Sequence, residues 1–423
     1  MKKILLSLSL FAFSLCVKAQ YGQFVGGDIS MLPAYEEHNS GYRDGNGNKI
    51  NDLITWFMSE CGWNSFRVRL FVDPKNTDYD GVIQDIEYVK KLGKRIKDAG
   101  ASFLLDFHYS DTWVDASHIQ APEAWKSMTA SQKATQIYTY TKESLEALKA
   151  SGATPDFVQV GNEIMYGFMG VAVKPYDDAS SNWTDYLNIL SQGCKAVREV
   201  CPNAQIIIHT DRPCNAQYNK YYYSKLKSAN IDFDIIGLSY YPFWHGYLPD
   251  LKSALLNLKT EFPDKKVQIV ETAYNFQYWP TSGINYDTRT TWSNTIDGQY
   301  KFIKDLISAL SSYSNVNGLY YWFPEEAGNG DDTKDWSKPT VLKTWLNRGF
   351  WYEDVNSNGH WSIKASEGMA PYLFKSFLNT TGIENLTIDK SANNAWYTLS
   401  GQKVSNPMQN GIYLHKGKKV IRR

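Results

Sequence analysis

Two glutamates stand at the ends of apolar runs that are typical of buried β-strands. Glu163 closes the run Phe157–Glu163, and Glu271 follows the run Val267–Val270. The two positions are 108 residues apart (271 − 163). A pair of carboxylates can hydrolyse a glycosidic bond with retention of configuration, one attacking the anomeric carbon and the other transferring protons. This chemistry requires a scaffold that brings two distant strand ends together.

The segments around these glutamates alternate between strand and helix patterns. Strands are predicted at Gln23–Ser30, Ser65–Phe71, Ser102–Tyr109, Asp156–Glu163, Gln205–Thr210, Phe233–Tyr241, Val267–Ala273 and Asn317–Phe323. Apolar residues recur at helical spacing in Asn51–Cys61, Val82–Ile96, Thr129–Ala150, Trp183–Val200, Leu251–Phe262 and Phe302–Leu310. Eight apolar strands alternating with helices predict an α/β fold, a (β/α)8 TIM barrel. The rival, a doubly wound sheet, calls for a glycine-rich phosphate loop after an early strand, and the sequence shows none.

Polar residues gather at the carboxyl ends of the predicted strands, where barrels of this class carry their active sites. They are Asp28, Arg67, Arg69, Asp106, His108, Asn162, Glu163, His209, Asp211, Tyr240, Tyr241, Glu271, Trp322 and Glu325. Core packing would not place so many polar groups there, so the cluster predicts an active site. Because alternate side chains of a strand face the barrel, the adjacent pair Asn162 and Glu163 requires a local twist or bulge.

The two glutamates need different surroundings for this chemistry. A proton donor needs a pKa raised towards neutrality by burial or by the other carboxylate, as we expect for Glu163. A nucleophile must stay ionised, and Arg67 or Tyr240 could hold Glu271 in that state. Each glutamate also has a structural alternative, an ion pair with an arginine at the strand end.

Aromatic residues could form the walls of a sugar-binding cleft. The chain has 14 Trp and 29 Tyr against 19 Phe, which favours surfaces that stack on partly polar ligands such as sugar rings. Trp322 could form a stacking floor, and Trp113, Trp244 and Trp279 could extend it, with core packing as the alternative for each. For His108, two interpretations stay open: it supports a carboxylate, or it contacts substrate.

The termini predict export and a small appendage. Lys2 and Lys3, the apolar run Ile4–Val17 and Ala19 are typical of a signal peptide over residues 1–19, which predicts a protein of the periplasm, cell surface or extracellular space. The apolar run is too short to span a bilayer, and Cys16 leaves a lipid anchor open. Residues 20–380 then form the barrel and residues 385–423 a short β-rich module, which resembles C-terminal sorting or anchoring tails of secreted Bacteroidetes proteins.

The charge balance, the cysteines and two calcium-like stretches bear on which partners and metal ions the chain could bind. The 44 basic and 44 acidic residues balance, so nothing favours nucleic acid or an anionic membrane as a partner. The cysteines of the mature chain, Cys61, Cys194, Cys201 and Cys214, lack metal-ligand spacing. We expect buried free thiols, and export leaves disulfide pairings as the alternative. Asp354–Gly359 matches the start of an EF-hand loop, yet its twelfth position is Ala365. That stretch and the weaker Asp44–Asn48 are better interpreted as polar turns.

With these residues assembled, the chain resembles the glycoside hydrolase family 53 endo-β-1,4-galactanases from Gly26 to Phe377. The most specific parts are Gly26–Ser30, Phe66–Pro74, Asp106–Trp113, Gln159–Glu163, Ser239–Trp244 and Glu271–Tyr274. The resemblance implies Glu163 as the acid/base and Glu271 as the nucleophile. It implies a substrate site formed by Asp28, Arg67, His108, Trp113, Asn162, Tyr240, Trp244 and Trp322.

The resemblance also implies an activity. We expect a secreted, monomeric enzyme that cuts pectic β-1,4-galactan, as polysaccharide or oligosaccharide, internally and with retention. No cofactor is required. Bacterial family members often carry a calcium-binding loop after the seventh strand, whereas Asn275–Pro280 lacks its acidic ligands; a structural calcium ion is left open. The alternatives are a β-1,4-glucanase or β-mannanase of the same clan, or a barrel that binds polysaccharide without cleaving it.

Overall fold

The computed structural model describes residues 22–38, 42–75, 81–277, 279, 284–328, 348–353, 361–362 and 370–378, and the tail strands at 396–398, 403–404, 411–415 and 418–422. The chain divides into two compact units, Met1–Asn379 and Thr380–Arg423. The predicted signal peptide and the EF-hand-like stretch Asp354–Gly359 with Ala365 lie outside the described residues.

The first unit is built on eight parallel strands that close into a barrel. They are β1 Phe24–Asp28, β2 Ser65–Leu70, β3 Ser102–Phe107, β4 Phe157–Val160, β5 Gln205–Thr210, β6 Ile235–Ser239, β7 Lys266–Glu271 and β8 Val316–Trp322. Each strand pairs with the next along the chain, and β8 pairs with β1. The predicted (β/α)8 barrel is therefore confirmed, with strand ends within a few residues of the predicted ones.

Helices connect the strands. They are α1 Leu32–His38, α2 Leu53–Cys61, α3 Ile86–Asp98, α4 Ala130–Ala150, α5 Trp183–Val200, α6 Ala216–Ser228, α7 Pro242–His245, α8 Leu248–Glu261, α9 Ile296–Leu310 and α10 Ala370–Leu378. Side chains cap six of them by accepting a hydrogen bond from the first turn: Asp52, Asp85, Thr129, Asn182, Asn215 and Thr295. The Asp85 cap places Val82 before α3 rather than in it.

Shorter elements complete the first unit. Glu123–Trp125 and Ile164–Tyr166 form 3₁₀ turns, and Gly167–Phe168 pairs with Val171–Ala172. A small sheet joins Ala327–Gly328, Trp351–Glu353 and Trp361–Ser362. No described helix is long and apolar enough to cross a membrane.

The barrel interior has an apolar floor beneath a polar mouth. A cluster separate from the main core is formed by alternate strand residues, Leu104, Phe157, Ile207, Ile235, Val270 and Tyr320, with Phe24 packed against it. The larger core contains the residues that face the helices. Above the apolar floor, the next inward positions carry charged and amide groups such as Arg67, Asp106 and Gln159, all fully buried.

A bulge between β6 and β7 directs one glutamate into the mouth. Leu238 pairs with Ile269, but the next pair is Ser239 with Glu271, so Val270 is passed over. Val270 packs in the interior cluster, and by strand alternation its successor would point away from the barrel. The extra residue restores Glu271 to the inner side, beside Ser239.

The second unit contains a four-stranded antiparallel sheet. Its strands are Trp396–Thr398, Lys403–Val404, Gly411–His415 and Lys418–Arg422, in the spatial order second, first, third, fourth. These strands lie in the part of the sequence predicted to be β-rich. In the described part of the chain Cys61, Cys194, Cys201 and Cys214 are free, and the first three are buried.

The close approach of β1 to β2 depends on a glycine. A Cβ atom at Gly26 would lie 1.6 Å from the Ser65 carbonyl oxygen. We expect Gly26→Ala to lower the free energy of unfolding by about 1–3 kcal/mol or more, as overpacked sites do. Urea unfolding measures this loss. The matched control is Gly22→Ala, where a Cβ has nothing within 4 Å and the change should stay within about 0.5 kcal/mol; equal losses would contradict the prediction.

Candidate active site

A cavity of about 570 Å³ opens at the carboxyl ends of the strands. Both glutamates line it, together with Trp113, Asp115, Asn162, Asp211, Tyr241, Trp244, Trp322 and Arg348. Its size suits a small-molecule or sugar-binding cleft, and its walls combine aromatic rings with a few polar groups, as such sites do.

Glu271 is held by a cation and a phenol. Its Oε1 lies 2.8 Å from Nη2 of Arg67, and its Oε2 accepts a hydrogen bond of 2.9 Å from the hydroxyl of Tyr241. The residue is 7% exposed, so the ion pair is shielded from solvent. Both contacts favour the ionised carboxylate, which is the form a nucleophile needs.

Glu163 lies just past the end of β4, on irregular backbone. Gly161 and Glu163 adopt left-handed conformations, with φ of 89° and 46°. This turn supplies the local twist that the pair Asn162 and Glu163 requires, because both residues reach the cavity. The Glu163 carboxyl accepts a hydrogen bond of 2.5 Å at Oε1 from Oγ of Ser239.

The surroundings give the two carboxyls different proton affinities. Burial raises the pKa of Glu163 well above its ordinary value, and the charges of Asp211 and Glu271 raise it further. Burial also raises the pKa of Glu271, but there Arg67 and the Tyr241 hydroxyl oppose the rise. The surroundings therefore favour a proton on Glu163 over a proton on Glu271.

Asp211 is a third carboxyl in the cavity. Burial raises its pKa to about 6, although the neighbouring Arg212 opposes the rise. The Arg212 guanidinium lies 3.6 Å from the Asp211 carboxylate. Asp211 thus changes charge near neutral pH and makes the charge around Glu163 depend on pH.

Arg67 joins several strands beneath the cavity. Its Nη1 donates to Asp28 at 2.6 Å, and its Nη2 contacts Asp106 at 2.7 Å and Asn162 at 2.9 Å, besides Glu271. The amide of Asn162 donates to the Val114 carbonyl at 2.7 Å, which fixes its orientation. The guanidinium is fully buried and holds Glu271 and Asn162, the residue before Glu163, in one network.

His108 supports this network from below. Its Nδ1 accepts a hydrogen bond of 3.1 Å from the Val114 amide, so the proton of the neutral ring lies on Nε2, which is 3.2 Å from Asp106. Burial lowers the pKa of His108 below its ordinary value. The histidine is 1% exposed, which favours the interpretation that it supports a carboxylate.

The cavity contains some of the predicted substrate residues and not others. Trp113, Asn162, Trp244 and Trp322 line it. Asp28, Arg67 and His108 lie beneath its floor and act on it through the buried network. Trp279 was expected along the cleft, but its ring packs against Phe243 and Tyr274, each with centroids 5.7 Å apart.

The prediction that the Tyr240 side chain reaches the site is wrong. Its hydroxyl donates to the Gly246 carbonyl at 3.1 Å, its ring packs 6.2 Å from Phe302 of α9, and the residue is fully buried. Strand alternation explains the error, since Ser239 faces the barrel, Tyr240 faces the helices and Tyr241 faces the barrel again. Counting by two from Ser239 would have identified Tyr241 as the tyrosine that faces the site.

The described residues contain no cluster of His, Cys, Asp and Glu arranged to hold a metal ion. At the calcium-like stretch Asp44–Asn48, the Asp44 carboxylate accepts hydrogen bonds from the backbone amides of Asn46 and Asn48 at 2.9 and 2.8 Å. Its oxygens thus accept hydrogen bonds within a polar turn, as predicted from the sequence.

The barrel, with one glutamate at the end of β4 and a second at the end of β7 in a shared cavity, defines a hydrolase of glycosidic bonds. Residues 24–356 match the family model described as Glycosyl hydrolase family 53, and the chain belongs to this family. The predicted family resemblance is therefore confirmed.

Similar proteins agree with this assignment. The chain is 31% identical to the endo-beta-1,4-galactanase of Bacillus subtilis over 71% of this chain and 69% of that protein. It is 33% identical to a probable arabinogalactan endo-beta-1,4-galactanase A of Aspergillus terreus over 73% of this chain and 88% of that protein. The GH53 catalytic domain of Ignisphaera aggregans superposes with a TM-score of 0.70 at 28% identity, covering 84% of this chain and 96% of that domain.

The two adjacent tyrosines provide a matched test of the site. We expect Tyr241→Phe to lower kcat/KM by about 10- to 150-fold, because a hydrogen bond to a charged group contributes about 1.5–3 kcal/mol. Tyr240→Phe should leave kcat/KM within about threefold of wild type, since it removes a hydrogen bond remote from the glutamates. Steady-state kinetics of both variants test this expectation. A larger loss of kcat/KM for Tyr240→Phe than for Tyr241→Phe would contradict the assignment of Tyr241 to the site.

Proposed function

We propose that this protein is a secreted, endo-acting enzyme that hydrolyses β-1,4-galactosidic bonds in pectic (arabino)galactan with retention of configuration. The different surroundings of the two carboxyls carry the proposal, since Arg67 and Tyr241 favour an ionised Glu271 and burial with Asp211 favours a protonated Glu163. The names of the similar galactanases support galactan as the substrate.

The reaction proceeds by two displacements. In the first, a Glu271 oxygen bonds to the anomeric carbon, the bond to the leaving sugar oxygen breaks, and the Glu163 proton passes to that oxygen. In the second, Glu163, now ionised, takes a proton from water as the water oxygen bonds to the anomeric carbon and the bond to Glu271 breaks. Two inversions give net retention, and Glu163 ends protonated as it began.

The cavity walls suit a chain of sugars. The Trp113 and Trp322 rings lie 6.2 Å apart between centroids, and the Tyr241 and Trp322 rings lie 6.4 Å apart and perpendicular, so the cleaved sugar can stack beside the carboxyls. A second cavity of about 390 Å³ shares Asp211, Arg212 and Trp244 with the first. A cleft longer than one sugar supports attack within the polymer rather than at its end.

Export, the monomeric state and independence of a cofactor belong to the same proposal. Residues 1–19 have the features of a signal peptide, which supports export to the periplasm, the cell surface or the extracellular space, where polymeric galactan is met. Calcium is not needed for either displacement, because Glu163 and Glu271 provide the acid, base and nucleophile.

Digestion of linear β-1,4-galactan, with product sizes followed over time, tests substrate and endo action together. We expect early products several sugars long, little release from cellulose or mannan, and a loss of at least about 10³-fold in Glu271→Ala, as for removal of other covalent nucleophiles. Exposed Glu60→Gln is the matched control and should retain activity. No galactan cleavage, or faster cleavage of cellulose or mannan, would overturn the substrate assignment, and an active Glu271→Ala would favour a binding barrel or another nucleophile.

A further inference from the structure

The acid/base side chain lies where its own strand no longer fixes it. β4 ends at Val160, and the backbone turns through left-handed conformations at Gly161 and Glu163. In the described part of the chain, Ser239 is the side chain that hydrogen-bonds the Glu163 carboxyl, at 2.5 Å. This one contact must be rigid, because a displacement of about 1 Å in a reacting group can cost roughly 100-fold in rate.

Ser239 is held in turn by His209. Oγ of Ser239 is 2.8 Å from Nε2 of His209, and both residues are fully buried. On the other side of the ring, Nδ1 lies 3.0 Å from Nε2 of Gln159, which can donate, and 3.0 Å from Oδ1 of Asn162, which can accept. Each neutral tautomer of the histidine therefore has a partner, and Nε2 can donate to Ser239 or accept from it.

This versatility matches the two states of an acid/base. When Glu163 is ionised, the Ser239 hydroxyl donates to Oε1 and accepts from Nε2–H of His209. When Glu163 is protonated, its carboxyl donates to Oγ of Ser239, and the hydroxyl turns towards Nε2. Burial and the charge of Arg67 lower the pKa of His209 well below its ordinary value, so the ring stays neutral throughout.

We propose that Ser239 and His209 are positioning residues for Glu163, and that they hold its carboxyl at the cleaved bond in both its protonated and its ionised form. The inference rests on the proposed function, which makes Glu163 the acid/base. Ser239 is also the cross-strand partner of Glu271, so its hydroxyl projects beside the nucleophile. The pair thereby fixes the acid/base relative to the nucleophile across β4, β5, β6 and β7.

The charges around Glu163 give the hydroxyl a second effect. Burial raises the pKa of Glu163, as do the carboxylates that face it: Asp211 after β5, Glu271 on β7 and Asp115 in the loop after β3. Tyr241 also faces it, and burial keeps this phenol neutral by raising its pKa. The Ser239 hydrogen bond acts in the opposite direction and lowers the pKa of Glu163, because a donor stabilises the ionised form.

A double-mutant cycle separates positioning from mere structural support. We expect Ser239→Ala to reduce kcat/KM on galactan by about 10- to 100-fold. Added to Glu163→Gln, the same change should cost less than about threefold, because the group it positions is already inactive. Equal losses in both backgrounds would overturn the proposal. Ser65→Ala is the matched control, since Ser65 is a fully buried barrel serine whose hydroxyl bonds Tyr320 at 2.8 Å, away from the glutamates.

A titration without substrate tests the same pair independently. The ¹³C carboxyl signal of Glu163, assigned by its absence in Glu163→Gln, should titrate at higher pH in Ser239→Ala than in wild type. The alkaline limb of the pH profile, where the acid loses its proton, should move to higher pH with it. An unchanged or lower pKa would overturn the proposal. Failure of the proposed function would instead appear as a wild-type protein that does not cleave galactan, whatever the titration shows.

Discussion

A single buried guanidinium organises the barrel mouth. Arg67 contacts Asp28 on β1, Asp106 on β3, Asn162 after β4 and Glu271 on β7. Removing one partner from a buried ion network costs about 3–5 kcal/mol, because it leaves charge without compensation in the interior. The arginine therefore cannot be lost without affecting the stability of the barrel, and its contact with Glu271 favours the ionised form of that carboxylate.

The two carboxyls differ because Arg67 reaches one of them. Glu271 has a cation and a phenol, whereas Glu163 has a serine hydroxyl and a neighbouring carboxylate, Asp211. Burial acts on both in the same direction, so the difference in proton affinity comes from these partners. The two glutamates look equivalent in the sequence, since each stands at a strand end. Their proton affinities differ because other strands contribute different partners to each.

The sequence predicted the parts of this arrangement that depend on periodicity. Continuous apolar strands identify the barrel, and strand ends identify the residues at its mouth, including both glutamates and Trp322. The α6 helix was not predicted, because tyrosines such as Tyr222 and Tyr223 form much of its buried face. Tyrosine is partly polar, so its spacing does not clearly indicate an apolar helix face. Side-chain direction at Tyr240 was also missed, because alternation from Ser239 turns Tyr240 towards the helices and Tyr241 towards the barrel interior.

Contacts between neighbouring strands could not be predicted from the spacing of residues along the chain. The bulge that passes over Val270 decides that Glu271 faces inward, and it arises from the pairing of β6 with β7 rather than from either strand alone. The Ser239–His209 contact likewise joins β6 to β5. Such features require the closed barrel, because no local preference of the chain specifies them.

The proposed mechanism depends on Glu271 acting as a nucleophile while Glu163 transfers protons. The anomeric configuration of the first product, followed by ¹H NMR immediately after enzyme and galactan are mixed, tests this most directly. Two displacements predict that the β-anomer of the new reducing end appears first and then mutarotates towards equilibrium. Initial appearance of the α-anomer would show a single displacement by water and would contradict the role assigned to Glu271.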